Sequence, residues 1–261
     1  MNIAIETLGI LGALATIGLG IPQLIQQLKT KKTGKVNFAS FWIFYIGIVF
    51  WVIYGMFAGP SYWQVFVANI VCTLIYSATM YYLYYFLDQK TKKQMMQVII
   101  GITIISFVCL VLLILFSLNM NQFIKAGMPK NKHDYIIPIL PEAHRGIIAA
   151  IAPSLTTLAF LPQLIINLKN KDFKGVSQWM PFLFMINNLL WIAYFILKPI
   201  NHDPSVSIKD AWIEVTPALA WQFISLTVYF IQFTTITVYN AKQKKIDSQP
   251  TNESASHPNI A

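Results

Sequence analysis

Uncharged, mostly apolar runs alternate with short charged turns along the whole chain. The runs cover residues 7–28, 36–87, 94–124, 146–168, 175–197 and 215–241. A membrane-spanning helix needs roughly 20 residues with few or no charges, so each run is read as a span. The second run is too long for one helix and divides at Gly59-Pro60-Ser61, a tight-turn sequence. The pattern therefore predicts an all-α integral membrane protein of seven transmembrane helices in one membrane domain, residues 1–240.

The spans repeat. Pro22-Gln23-Leu24-Ile25 returns as Pro162-Gln163-Leu164-Ile165, and the register holds without a gap from Thr16–Tyr54 to Thr156–Tyr194, with 13 identities that include Trp51/Trp191 and Tyr54/Tyr194. A proline inside a helix removes a backbone hydrogen bond and favours a bend, so its recurrence at one depth points to a matched pair of hinges. Between the two Pro-Gln segments the chain crosses the bilayer an even number of times. The repeats are therefore parallel: repeat one spans 7–87, a linker helix 94–118 restores the direction, an outer loop covers 119–145, and repeat two spans 146–240. A 3+1+3 plan of this kind has its pseudo-twofold axis along the membrane normal and its site between the two bundles.

Composition agrees with a membrane environment: 56% of residues are apolar, only 11% are charged, and the mean hydropathy is +0.57. The net charge of +9 comes from lysines at helix ends. Thirteen of the 19 Lys and Arg residues lie in the turns after helices 1, 3 and 5 and in the tail, which places those turns and the carboxyl terminus in the cytoplasm and the amino terminus outside. Both Pro-Gln segments then lie at the cytoplasmic face. The lysines are topology anchors facing anionic lipid, and no basic stripe with interleaved aromatics marks a nucleic-acid surface. A plasma-membrane location follows from the absence of sorting signals. The tail, 241–261, is expected to be disordered.

With the Pro-Gln pairs, Lys32-Thr33-Gly34-Lys35-Val36-Asn37, Phe50-Trp51-Val52-Ile53-Tyr54-Gly55 and Ala68-Asn69-Ile70-Val71, the first half resembles a SemiSWEET repeat. The second half carries Gly175-Val176-Ser177, Met180-Pro181-Phe182, Asn187 and Trp191-Ile192-Ala193-Tyr194 and resembles the second repeat of the two-repeat SWEET sugar transporters of the MtN3/saliva type. Both belong to the PQ-loop superfamily, whose fold also serves proton-coupled amino acid exporters resembling cystinosin and receptors resembling the KDEL receptor. The resemblance implies a carrier that binds a small sugar between its bundles.

Particular residues follow from the two readings together. Pro22 and Pro162 would be hinges, Gln23 and Gln163 polar gate groups beside them, and Pro181 a third proline of the SWEET pattern, whose fourth is replaced by Phe41. Trp51 and Trp191 offer an indole face for the C–H face of a sugar and an N–H for a hydroxyl. Asn69, matching the substrate-contacting asparagine of SemiSWEETs, can engage two hydroxyls at once. Its partner position in repeat two is Ala218, so Gln222, or Asn187 from helix 6, would supply the second amide. Trp42, Trp63 and Trp212 fit interfacial anchors.

All ten acidic residues fall in turns, tails or helix ends, and no His lies in a span. Proton-coupled carriers place a titratable group at mid-membrane, so the pattern favours uncoupled facilitated diffusion of a neutral solute. Glu214 is the exception to watch: one turn more of helix 7 would bring it to the pore mouth and suit the alternative, an amino acid carrier. A membrane receptor on the same fold is the third reading. No metal-ligand spacing and no nucleophile with a neighbouring base suggest an enzyme or a cofactor. Cys72 and Cys109 are expected as reduced thiols within spans. The outer loop 119–145 is expected to be an unstructured linker. Association into a homo-oligomer stays open.

Overall fold

The computed structural model describes residues 3–33, 36–127, 134–159, 161–170, 178–201 and 207–247. They form α1 (Ile3–Thr30), α2 (Phe38–Ala58), a 3-10 turn (Pro60–Tyr62), α3 (Trp63–Tyr85), α4 (Lys92–Lys125), α5 (Glu142–Leu158), α6 (Leu161–Asn170), α7 (Trp179–Ile200) and α8 (Ile208–Asp247). Six of the described helices are long and apolar enough to cross a membrane. Their outer faces expose large aliphatic and aromatic side chains, such as Ile100, Ile104, Phe107, Leu110 and Ile114 along α4. Patches of this extent belong against lipid rather than water.

Local signals set the helix ends. Asn37 caps α2 by accepting from the Ala39 and Ser40 N–H groups at 3.0 and 3.4 Å. Thr91 and Gln94 form a reciprocal capping box at the start of α4. Each such cap contributes about 1 kcal/mol. The turn after α2 requires Gly59: its φ is +88°, and a Cβ there would lie 2.5 Å from Ile139.

Within each repeat the third helix packs between the other two. α3 touches α1 and α2, and α8 touches α5 and α7, whereas the first and second helices of a repeat do not meet. The bundles then join through α1 with α7 and α2 with α5, closing a six-helix ring. Lipid is as apolar as the helix surfaces, so close packing rather than hydrophobic burial holds such a ring together. Gly55 is one place where this shows: a Cβ there would come within 2.8 Å of the Phe66 backbone of α3. α4 stands outside the ring and packs on α2 and α3, with Phe116 stacked on Phe66 at 3.9 Å, as a linker helix should.

Four expectations are corrected. The span 146–168 is not one helix: α5 ends at Leu158, Ala159 caps it, and α6 starts at Leu161. Pro162 is therefore the second residue of α6, where its missing N–H removes no helical bond, while Pro22 lies inside the unbroken α1. In repeat two the proline inside the first helix is Pro153, in α5, and Pro199 and Pro217 lie inside α7 and α8. The linker helix extends to Lys125 rather than 118, and the loop after it is partly built. Asn119 clamps Ile137 through both of its amide atoms at 2.9 and 3.1 Å, Leu140 N–H reaches the Phe57 carbonyl at 3.2 Å, and Tyr135 is buried. The tail is helical as far as Asp247, and residues 248–261 lie outside the described part. Glu214 is not at a helix end but in the second turn of α8, and it is 4% exposed.

Candidate functional site

The two junctions between the bundles share one plan. Along α1, Gly9, Gly12 and Thr16 lie on one face, and α7 sets Tyr194, Trp191 and Asn187 against them. A Cβ at Gly9 would lie 2.9 Å from the Tyr194 ring, and one at Gly12 would lie 3.1 Å from the Trp191 indole. At the other junction the matched residues, 140 positions away in each case, are Ala149, Ala152 and Thr156 on α5 and Tyr54, Trp51 and Gly47 on α2. Ala149 and Ala152 pack in the same core cluster as Trp51 and Tyr54, and Gly47 lies so close to Thr156 that a Cβ would come within 2.7 Å. Small residues on one helix thus let the large ones of the next approach, twice.

Between these seams lies a cavity of about 280 Å³ to which α1, α2, α3, α5, α7 and α8 all contribute. Trp51, Asn69, Asn187, Trp191 and Gln222, the five residues expected to bind solute, all line it, as does Gln23. Phe195, which sequence reasoning missed, joins the two tryptophans: its ring is tilted 19° from Trp51 and 31° from Trp191, at centroid distances of 6.3 and 5.8 Å. The three rings make one aromatic cluster, the floor of the cavity. No charged side chain lines the cavity among the described residues.

Its polar groups are unevenly used. Thr16 Oγ accepts the Trp191 indole N–H at 2.8 Å and lies 2.8 Å from both Asn187 Oδ1 and the Gly12 carbonyl. Asn188 Nδ2 donates to Ser225 Oγ at 3.0 Å, and Asn69 Nδ2 to the Val65 carbonyl at 2.8 Å. Gln222 and the indole nitrogen of Trp51 have no hydrogen-bond partner among the described residues. The Tyr76 hydroxyl, also lining the cavity, is buried without a partner. Buried polar groups normally find one; the Tyr76 hydroxyl does not, and together with the Gln222 amide and the Trp51 N–H it could bond a solute in the cavity.

One end of the cavity is sealed. Beyond the aromatic floor, Tyr54 reaches across to Glu214 at 3.3 Å, and Arg145 holds Glu214 at 2.8 Å and Glu142 at 3.1 Å. Tyr194 crosses in the opposite sense to Gln64 at 3.4 Å, and Gln64 donates to Glu6 at 2.6 Å. Lys198 donates to the Ser61 carbonyl at 2.6 Å and sits 4.5 Å from the centroid of the Tyr62 ring. Tyr54 and Tyr194 are fully buried. The other end, toward the Pro-Gln segments, is lined by exposed Asn37 and Met180 and by half-buried Gln23 and Val36, so the cavity opens there.

The remaining expected residues lie outside the lining. Pro22 and Pro162 are exposed on the outside of the ring. Pro181 is buried as the third residue of α7, where it interrupts no helical bond. The side chain of Gln163 lies outside the described residues. Trp42 and Trp63, expected as interfacial anchors, bond Tyr84 at 3.0 Å and Glu6 at 3.3 Å through their indole N–H groups.

Comparison with known proteins agrees with this geometry. The model of the PQ loop repeat matches twice, over residues 4–64 and 146–203. An uncharacterized protein of Methanocaldococcus jannaschii is 44% identical over 74 residues, which are 27% of this chain and 77% of that shorter one. The chain belongs to the PQ-loop family. The structure of a eukaryotic SWEET transporter superposes with a TM-score of 0.58 over 92% of this chain and 98% of the other, at 11% sequence identity. The fold of this multi-pass membrane protein is thus SWEET-like over 92% of the chain.

Proposed function

We propose that the protein is a SWEET-like transporter carrying a small neutral sugar down its gradient by alternating access. The observation that carries this reading is the cavity between the bundles: uncharged among the described residues, floored by Trp51, Phe195 and Trp191, edged by the amides of Asn69, Asn187, Asn188 and Gln222, and reached from the Pro-Gln end. A sugar matches such a site because its C–H face packs on aromatic rings while its hydroxyls satisfy amide donors and acceptors. Asn69, Gln222 and the Trp51 N–H would take hydroxyls. Transport then needs the sealed end to part, breaking the Tyr54, Tyr194 and Lys198 bonds, while the Pro-Gln end closes. Pro22 inside α1 and the α5/α6 break beside Pro162 are the places where the first helix of each repeat bends most easily.

The topology completes the proposal. With the amino terminus outside and the carboxyl terminus in the cytoplasm of a plasma membrane, the sealed end faces outward and the open cavity inward. The eukaryotic SWEET transporter of the same fold supports the assignment as a transporter. An amino acid carrier using Glu214 has less support, because Glu214 does not line the cavity and is already tied to Arg145.

Uptake of labelled monosaccharides, disaccharides and amino acids into proteoliposomes, with and without a proton gradient, tests both. Sugar flux independent of the gradient and reduced at least roughly tenfold in Asn69→Ala is expected, the loss of one or two buried amide hydrogen bonds. Acid-driven amino acid uptake without sugar flux would sink the proposal.

A further inference from the structure

The threonines at positions 16 and 156 occupy matched places in the two repeats, and both line the cavity. Their hydroxyls do different things. Thr156 Oγ reaches only the carbonyls of its own helix, Ala152 at 3.3 Å and Pro153 at 3.2 Å. Thr16 Oγ reaches across the α1/α7 seam to two side chains of the opposite bundle, Trp191 and Asn187. The consequence is an asymmetric pair of tryptophans: the N–H of Trp191 is consumed, and that of Trp51 has no protein partner among the described residues.

Proton counting sharpens this. A hydroxyl donates once and accepts twice. Thr16 accepts from Trp191, so its one proton can serve the Gly12 carbonyl or Asn187 Oδ1, not both. Turning the Asn187 amide over, which leaves its outline unchanged, lets Nδ2 donate to Thr16, gives every group a partner, and leaves Oδ1 of Asn187 as an acceptor at the cavity wall.

We propose that Thr16 is a positioning residue of the solute site: its hydroxyl fixes the Trp191 indole and the Asn187 amide, so that Trp191 offers the solute only its face. The solute's hydroxyls are then read mainly from the repeat-one side, by Trp51 and Asn69, with Gln222. This rests on the reading of the cavity as a sugar site for its second half only. The bond from Thr16 to Trp191 stands independently of what the cavity carries.

The test uses the full chain labelled with 15N-tryptophan in nanodiscs, the indole resonances being assigned through Trp51→Phe and Trp191→Phe. Slow solvent exchange of the Trp191 N–H is expected, accelerated roughly threefold to tenfold in Thr16→Val by loss of one hydrogen bond, and unchanged in Thr16→Ser and in Thr156→Val. A Trp191 signal indifferent to Thr16→Val, or moved equally by Thr156→Val, overturns the proposal. Should Thr16→Val not assemble, Thr16→Cys replaces it, because sulfur is the weaker acceptor. Glucose is then titrated: the Trp51 resonance should move more than that of Trp191. In uptake, Thr16→Val should raise the half-saturation concentration roughly threefold to tenfold at unchanged maximal rate, with Thr16→Ser restoring it. A larger response of Trp191 than of Trp51 to glucose also overturns the proposal. Absence of any monosaccharide binding or uptake by the unmodified protein defeats the sugar reading instead, and the exchange measurement decides the role of Thr16 alone.

Discussion

The two seams between the bundles are built from the same backbone plan and hold by different forces. At α1/α7 two glycines let Tyr194 and Trp191 sink against the helix, and a hydroxyl, an indole and an amide then bond across the gap. At α5/α2 alanines take the place of the glycines, and Gly47 stands where the other seam has Asn187, so the helices pack with no hydrogen bond between them among the described residues. Duplication has therefore preserved helix positions and the Trp-x-x-Tyr spacing while the polar chemistry has diverged. A solute held between such halves would meet one free indole N–H, that of Trp51, and one already engaged, that of Trp191.

The sealed ends of the two seams differ even more, and the largest effect is expected there. Glu214 is buried and held by Arg145, whereas Glu6, the anchor of the sister network, is half-exposed and has Gln64 and Trp63 as its partners. Arg145→Met leaves Glu214 buried without its cation, and breaking a buried pair from one side costs about 3–5 kcal/mol. Gln64→Leu removes one hydrogen bond from Glu6, which keeps that of Trp63, and one from Tyr194, and should cost about 2–3 kcal/mol. Thermal unfolding of the two variants in one detergent would show this order; equal losses would mean that the two networks are equivalent after all.

Next in size is the wedge at the α5/α2 seam. The Cβ of Gly47→Ala would lie 2.7 Å from Thr156 Cγ2 and 3.1 Å from the Thr156 backbone nitrogen, so the helices themselves must part. At Gly9→Ala the nearest atoms, in the Gln64 side chain and the edge of the Tyr194 ring, both at 2.9 Å, belong to side chains rather than to the backbone of the facing helix. Overpacking of the first kind costs about 1–3 kcal/mol, and Gly9→Ala should stay below it. Since the ring closes only through these seams, Gly47→Ala should also lower transport at temperatures where the protein remains folded, as measured by proteoliposome uptake.

Most of the helical spans and the parallel repeats were legible from charge-free length and the matched Pro-Gln and Trp-x-x-Tyr, and the residues that line the cavity were reached through that match together with the resemblance to SemiSWEETs and SWEETs. The seams were not, since neither Gly9 nor Gly47 carries any mark of the residue it will face. Repeat alignment extended upstream of Thr16 would have paired Gly9 with Ala149 and Gly12 with Ala152, the one signal available in the sequence. The break before Pro162 was hidden because an uncharged run says nothing of continuity within it. Glu214 was misplaced because a carboxylate normally ends a span, unless, as here, an arginine from the next helix neutralises it. The docked stretch near Ile137 escaped notice for a similar reason: its anchor, Asn119, lies on a helix predicted to stop one residue earlier.

The smallest effect separates the two tryptophans themselves. Trp191→Phe and Trp51→Phe remove the same atoms from neighbouring places in one core cluster, so the packing loss is nearly common to both. Only Trp191→Phe also removes a hydrogen bond from the Thr16 hydroxyl, which keeps those to Gly12 and Asn187, and an intramolecular hydrogen bond contributes about 0.5–1.5 kcal/mol net. Trp191→Phe should therefore unfold at a lower temperature than Trp51→Phe by that margin. For solute the order should reverse: Trp51→Phe, which removes a free donor, should weaken monosaccharide binding more than Trp191→Phe, which removes a donor the protein already uses. A single ranking shared by stability and binding would mean that the indoles act alike, and the asymmetry between the seams would then be structural only.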